Sequence, residues 1–117
     1  MNQQKKQFLD LLYKEALATA VTYYIDPIIL LTQAAHETGW LRSCRGNNLY
    51  GIKAGSSWLG ETVDFTTHEV VKGERRPYVL RFRAYPRFRD SMEDYCKLIS
   101  SATRYVAAWD NRDKADI

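Results

Sequence analysis

Residues 26–39 constrain the fold more than any other stretch of the chain. Asp26 suits the N-cap of a helix, and Pro27 suits the first helical position, where a missing N–H costs nothing. Gly39 falls where a left-handed C-terminal cap is wanted. Between them runs Ile28-Ile29-Leu30-Leu31-Thr32-Gln33-Ala34-Ala35-His36-Glu37-Thr38, apolar over most of its length. A helix of this kind is expected to be mostly buried, with the rest of the chain wrapped around it. It also ends in an acid. Glu37 sits in the last turn, where the helix dipole prefers a cation.

The flanking segments say what wraps it. Residues 3–23 read as a helix, with Phe8, Leu11, Leu12, Ala16 and Ala20 at three- and four-residue steps. Residues 41–60 carry four of the six glycines and read as a loop, yet hold Tyr50 and Trp58. Residues 62–71 and 76–85 alternate as strands around a Lys72-Gly73-Glu74 turn. On the first strand Val63, Phe65, Thr67, Glu69 and Val71 share a face. A last helix is expected to begin at an Asp90-Ser91 capping pair and to continue through Met92, Cys96, Ile99, Thr103 and Val106. At 117 residues this is a single α+β domain over 1–117.

Composition narrows the function classes. Hydrophobic residues make up 45% and charged residues 26%, which excludes a disordered chain. No apolar run approaches the ~20 residues of a membrane span. Asp10, Lys14 and Glu15 interrupt the only stretch resembling a secretory signal. A net charge of +3 does not argue for nucleic acid, and the arginine-rich residues 72–89 read first as a solvated hairpin face. Cys44 and Cys96 lack metal-ligand spacing and read as free thiols or one disulfide. His36-Glu37 and His68-Glu69 lack a second ligand four residues on, so no metal or other cofactor is expected.

Two carboxylates remain as candidates for chemistry. Glu37, in apolar surroundings beside Trp40, is expected to be desolvated, which favours the neutral acid needed to protonate a leaving oxygen. Glu69 is the one carboxylate on the apolar parity of its strand. Asp64 and Glu61 rank lower, on the polar parity and in the preceding loop. Glycosidases use paired carboxylates in this way. The plain alternatives are a helix-end Glu37 that is solvated or paired to Arg42 or Arg45, and a Glu69 that is an ordinary glutamate at a strand end near a turn.

A resemblance extends this reading. Gln33-Ala34-Ala35-His36-Glu37-Thr38-Gly39-Trp40 resembles the glutamate motif of the bacterial glucosaminidases of glycoside hydrolase family 73. Asn47-Asn48-Leu49-Tyr50-Gly51-Ile52-Lys53-Ala54, Trp58, Thr66-Thr67-His68-Glu69, Phe82-Arg83-Ala84-Tyr85, Ser91, Asp94-Tyr95 and Arg104-Tyr105 follow in the family's order. The resemblance implies a lysozyme-like fold, a mostly helical lobe and a β-hairpin lobe flanking a substrate groove. It implies cleavage of the β-1,4 bond between N-acetylglucosamine and N-acetylmuramic acid in peptidoglycan strands. Glu37 matches the general acid and Glu69 the second carboxylate. Asn48, Tyr50, Lys53, Trp58, Tyr85, Tyr95 and Tyr105 fall at positions that would line the groove. His36 and Leu41 depart from the family's Leu and Gly. The family usually continues beyond the position of Ile117 with another loop and helix. A lytic transglycosylase or muramidase on the same fold, and a silent wall-binding module, are the alternatives. If the enzyme is an antibacterial effector acting on the wall or periplasm, an immunity protein is the expected partner.

Overall fold

The computed structural model describes residues 1–101 and 109–114. Three helices and one antiparallel hairpin follow in the order α1 (Gln3–Tyr23), α2 (Pro27–Thr38), β1 (Thr62–Val71), β2 (Glu74–Arg83) and α3 (Phe88–Ser101). Among the described residues no helix is long and apolar enough to cross a membrane.

Both N-terminal helices stop and start where the local chemistry demands. The Asn2 side chain accepts a hydrogen bond from the Lys5 N–H, and Asp26 accepts one from the Ile28 N–H. Gly39 takes the left-handed conformation at φ 58° and its N–H reaches the Ala35 carbonyl. α1 buries Phe8, Leu12, Ala16 and Thr19, a single stripe. α2 differs from expectation. It buries Leu30, Ala34, Ala35 and Thr38 but leaves Ile28, Thr32, Gln33, His36 and Glu37 exposed, so it is only half sunk. The hairpin does not cover its open face; none of its residues joins the buried core, which is built from the three helices with Ile25, Leu49 and Tyr50.

The hairpin pairs without a bulge from Thr62 opposite Arg83 to Val71 opposite Glu74. Its turn is two residues, Lys72 and Gly73, both at positive φ, where a three-residue turn was expected. The second strand is accordingly Glu74–Arg83 and excludes Tyr85. Residues 52–54 run beside the end of β2, with the Arg83 N–H donating to the Ile52 carbonyl and the Ala54 N–H to the Arg81 carbonyl. The Tyr85 N–H returns to the Gly46 carbonyl at 2.8 Å. A Cβ at Gly46 would stand 2.9 Å from that of Ala84, so only glycine lets the two segments close.

The third helix also begins elsewhere than expected. It starts at Phe88, and Asp90 lies in its first turn, where its carboxylate accepts from the Arg87 N–H. Ser91 is no cap: it is fully buried, and its hydroxyl accepts the Leu49 N–H at 3.0 Å. Thr103 and Val106 lie outside the described residues. Cys44 and Cys96 are free thiols, and burial pushes Cys96 up to about 12.

Candidate active site

The half-sunk α2 leaves a cleft between its C-terminal turn and the hairpin. The cleft measures about 400 Å³. Glu37 and Thr38 form one wall from α2, and Phe65, Thr66 and Thr67 of β1 face them. Leu80 and Phe82 of β2 share that wall because the register sets Leu80 opposite Phe65. The floor comes from the loop, through Ser43, Arg45, Asn48 and Gly51. Glu37 is the one carboxylate on this lining among the described residues.

Glu37 is positioned by backbone rather than by a polar partner. The Gly39 cap ends its helix within two residues, so the side chain projects past the last turn. Gly51, at φ 64°, passes so close that a Cβ there would stand 3.3 Å from Glu37 Oε2. Trp40, expected beside this carboxyl, packs edge-on against Phe8 at 5.1 Å instead, with the Lys5 ammonium over its ring. Its turn out of α2 carries it toward α1, away from the cleft. Glu37 is exposed, not buried among apolar groups.

Glu69 lies on the cleft-facing side of β1, as alternation required, but two residues beyond Thr67. At the rise of a strand that is about 7 Å further toward the hairpin tip. It is exposed and lies outside the cleft lining. Arg76 is its cross-strand neighbour but pairs with Glu74 at 3.1 Å. Asp64 points to the opposite face and pairs with Arg81 at 2.9 Å; that hydrogen bond holds its carboxyl below the ordinary range.

The remaining expected groove residues divide. Asn48 lines the cleft, but its amide is fully committed. Its Nδ2 donates to the Ile52 and Arg83 carbonyls at 2.9 and 2.8 Å, and its Oδ1 accepts from the N–H groups of Tyr50 and Ile52. Tyr50 lies in the core, not on the cleft. Its hydroxyl donates to the Leu30 carbonyl at 3.0 Å, its ring stacks on Tyr95 at 4.1 Å, and burial pushes its phenol well up. Tyr95 is thereby a packing partner of the core. Lys53 is exposed, bridging to Phe82 through its backbone and accepting from Arg83 Nε at its carbonyl.

Tyr85 and Trp58 belong to a different depression, of about 510 Å³, shared with Glu61 and Asp94. The Tyr85 hydroxyl and the Arg83 guanidinium both donate to Asp94 Oδ2, and Arg83 also covers the Trp58 ring at 4.6 Å. Burial and the acceptor Asp94 push the Tyr85 phenol up. The Arg83, Tyr85 and Asp94 motif is thus a clamp joining the end of β2 to α3. Tyr105 lies outside the described residues. Arg45, Ser43, Thr66 and Thr67 line the cleft without having been singled out as site residues. Alternation on β1 places Thr67 on the Glu69 face; no periodicity in the loop marks Arg45.

Comparison with known proteins gives this geometry its context. The family model described as mannosyl-glycoprotein endo-beta-N-acetylglucosaminidase matches residues 13–117. The peptidoglycan hydrolase FlgJ of Vibrio parahaemolyticus is 36% identical over 110 residues, covering 89% of this chain and 35% of that protein. The exo-glucosaminidase LytG of Bacillus subtilis is 32% identical over 105 residues, covering 87% of this chain and 36% of its own length. The chain thus spans about a third of the curated relatives it matches. Among solved structures, a C-terminally truncated glycoside hydrolase domain of Salmonella typhimurium FlgJ superposes with a TM-score of 0.82. It is 29% identical, and the match covers 95% of this chain and 76% of that one. The fold is shared with that glycoside hydrolase domain, and the chain belongs to the glucosaminidase family, glycoside hydrolase family 73.

Proposed function

We propose that the protein is a peptidoglycan hydrolase, an N-acetylglucosaminidase that cuts the β-1,4 bond between N-acetylglucosamine and N-acetylmuramic acid. The observation that carries this reading is Glu37, the only acid on the lining of the interlobe cleft among the described residues. Glu37 protonates the glycosidic oxygen, a step that a positioned acid accelerates by about 10²–10⁴. Glu69, on the same hairpin face, activates water or stabilises the oxocarbenium-like transition state. Thr67, on the cleft-facing side of β1, offers a hydroxyl to the glycan, and Phe65 offers an apolar wall.

One observation favours a second reading. Glu69 stands beyond the lining, so a single acid faces the cleft, and a lytic transglycosylase needs only one. Purified peptidoglycan digested by the protein, reduced with borohydride and examined by mass spectrometry separates the two. Reduced glucosamine ends, absent with Glu37→Gln, support the glucosaminidase. Anhydro-muramic ends support the transglycosylase. No fragments from a folded protein defeat both and leave a wall-binding module. The finer form of the proposal is an antibacterial effector acting on a rival's wall, with an immunity protein occluding the cleft. A neighbouring gene product that binds and inhibits the protein is its test.

A further inference from the structure

The cleft lining carries an exposed arginine that no salt bridge ties down among the described residues. Arg45 lies on the loop between α2 and the hairpin and lines the same cleft as Glu37. Among the described residues no carboxylate pairs with it, whereas Arg83, Arg87 and Arg89 each have one. Its guanidinium lies 4.5 Å from the centre of the Phe65 ring, on the cleft-facing side of β1. An aromatic face beneath a guanidinium orients its plane and leaves its N–H edge available. That edge is a fork matched to a carboxylate. A neutral sugar offers it hydroxyl and carbonyl acceptors but no charge, and a charge-assisted pair is about twice as strong.

We propose that Arg45 is a specificity-determining residue that binds a carboxylate borne by the muramyl unit of the strand in the cleft. The proposal rests on the reading of this cleft as a peptidoglycan-cleaving site and adds the feature by which it tells wall from a plain N-acetylglucosamine polymer. The carboxylate has two sources. Intact wall carries acids on the stem peptide, and strands stripped of peptide carry the free lactyl acid. An N-acetylglucosamine oligomer carries neither.

The test uses the full chain with Glu37→Gln, so that ligands stay uncleaved, with and without Arg45→Met. Methionine keeps an apolar stem over Phe65. Dissociation constants are measured for three probes: peptide-bearing strands, amidase-stripped strands and N-acetylglucosamine oligomers. Arg45→Met is expected to weaken anionic strands by about tenfold or more and to leave the neutral oligomer within about twofold. Arg45→Lys is expected to restore part of the loss, because a point charge replaces the fork. Loss on peptide-bearing strands alone assigns the stem-peptide acid, and loss on stripped strands alone assigns the lactyl acid. Loss on both assigns either carboxylate to the same fork. Equal loss on all three probes, no loss on any, or no strand binding with Arg45 in place overturns the proposal. The functional reading fails by a different result: no fragments released from wall by the protein with Glu37 and Arg45 intact.

Discussion

Asn48→Ala separates a scaffold from a substrate contact at the position where the two readings diverge. The residue is 7% exposed, and its side chain makes four hydrogen bonds, all to backbone. They join the loop at residues 50 and 52 to the end of β2 at Arg83, so this one amide fixes the cleft floor against the hairpin. Each net bond is worth about 1 kcal/mol, and a buried partner left unsatisfied costs about 1–3 kcal/mol. Water entering from the cleft recovers part of this, so we expect a loss of about 3 kcal/mol. For a domain of this size that lowers Tm by roughly 12 °C. Asn48→Asp keeps the acceptor for Tyr50 and Ile52 but turns the donor toward the Ile52 and Arg83 carbonyls into an anion. Its folded pKa is therefore raised. The deficit is smallest below the ordinary aspartate value of about 3.9 and grows as pH rises through the folded value. Urea and thermal unfolding read both variants, with wall digestion alongside. A stability within about 0.5 kcal/mol of the parent together with a raised KM would refute the scaffold role and restore substrate contact.

Asp94→Asn breaks the Arg83 pair, whose side chains are 15% and 17% exposed, and should cost about 2–3 kcal/mol in urea unfolding; Tyr85→Phe should cost about 1 kcal/mol. Asp64 and Asp90 carry carboxyls lowered by Arg81 and Arg87, so their contributions are complete above about pH 3.9 and are lost as pH falls through the depressed folded values; Asp90→Asn should flatten the acid limb of a stability profile. Burial raises the Cys96 thiol to about 12, so in the native protein at pH 8 an alkylating reagent should leave Cys96 unmodified until denaturant is added.

The helices were legible because their signals are local. Asp26, Pro27 and Gly39 mark α2 to the residue, and capping is a matter of side chains two or three positions away. Alternation on β1 told correctly which residues share the Glu69 face, since a bulge-free ladder preserves parity. The errors also have local causes. The Asp90-Ser91 pair looks like a cap, but the Ser91 hydroxyl accepts the Leu49 N–H, and the Asp90 carboxylate reaches back to the Arg87 N–H from inside a helix that starts at Phe88. The turn was read one residue too long because Glu74, a polar residue beside Gly73, looked like turn, whereas it pairs with Val71 as the first residue of β2.

The site was legible only as residue types. An aromatic at position 50, 58, 85 or 95 can stack on sugar or pack inside, and the chain alone does not distinguish them. Tyr50 is in the core because its hydroxyl finds the Leu30 carbonyl, and Tyr85 is held off the cleft because Asp94, nearly two turns into α3, accepts its hydroxyl. Likewise a near-apolar helix implied burial, yet α2 keeps one face open because the hairpin stands away from it.

The sequence by itself determined where α1 and α2 begin and end, which strand residues share a face, and that Glu37 closes an apolar helix. Those properties depend on neighbours within a few bonds along the chain. Only the tertiary structure decided that, among the described residues, Glu37 alone of the acids meets the cleft lining, that Glu69 falls outside it, and that Arg45 lines the cleft with no carboxylate paired to it. Those depend on how far a loop with its own hydrogen-bonded floor holds the hairpin from α2, and no local pattern encodes that separation.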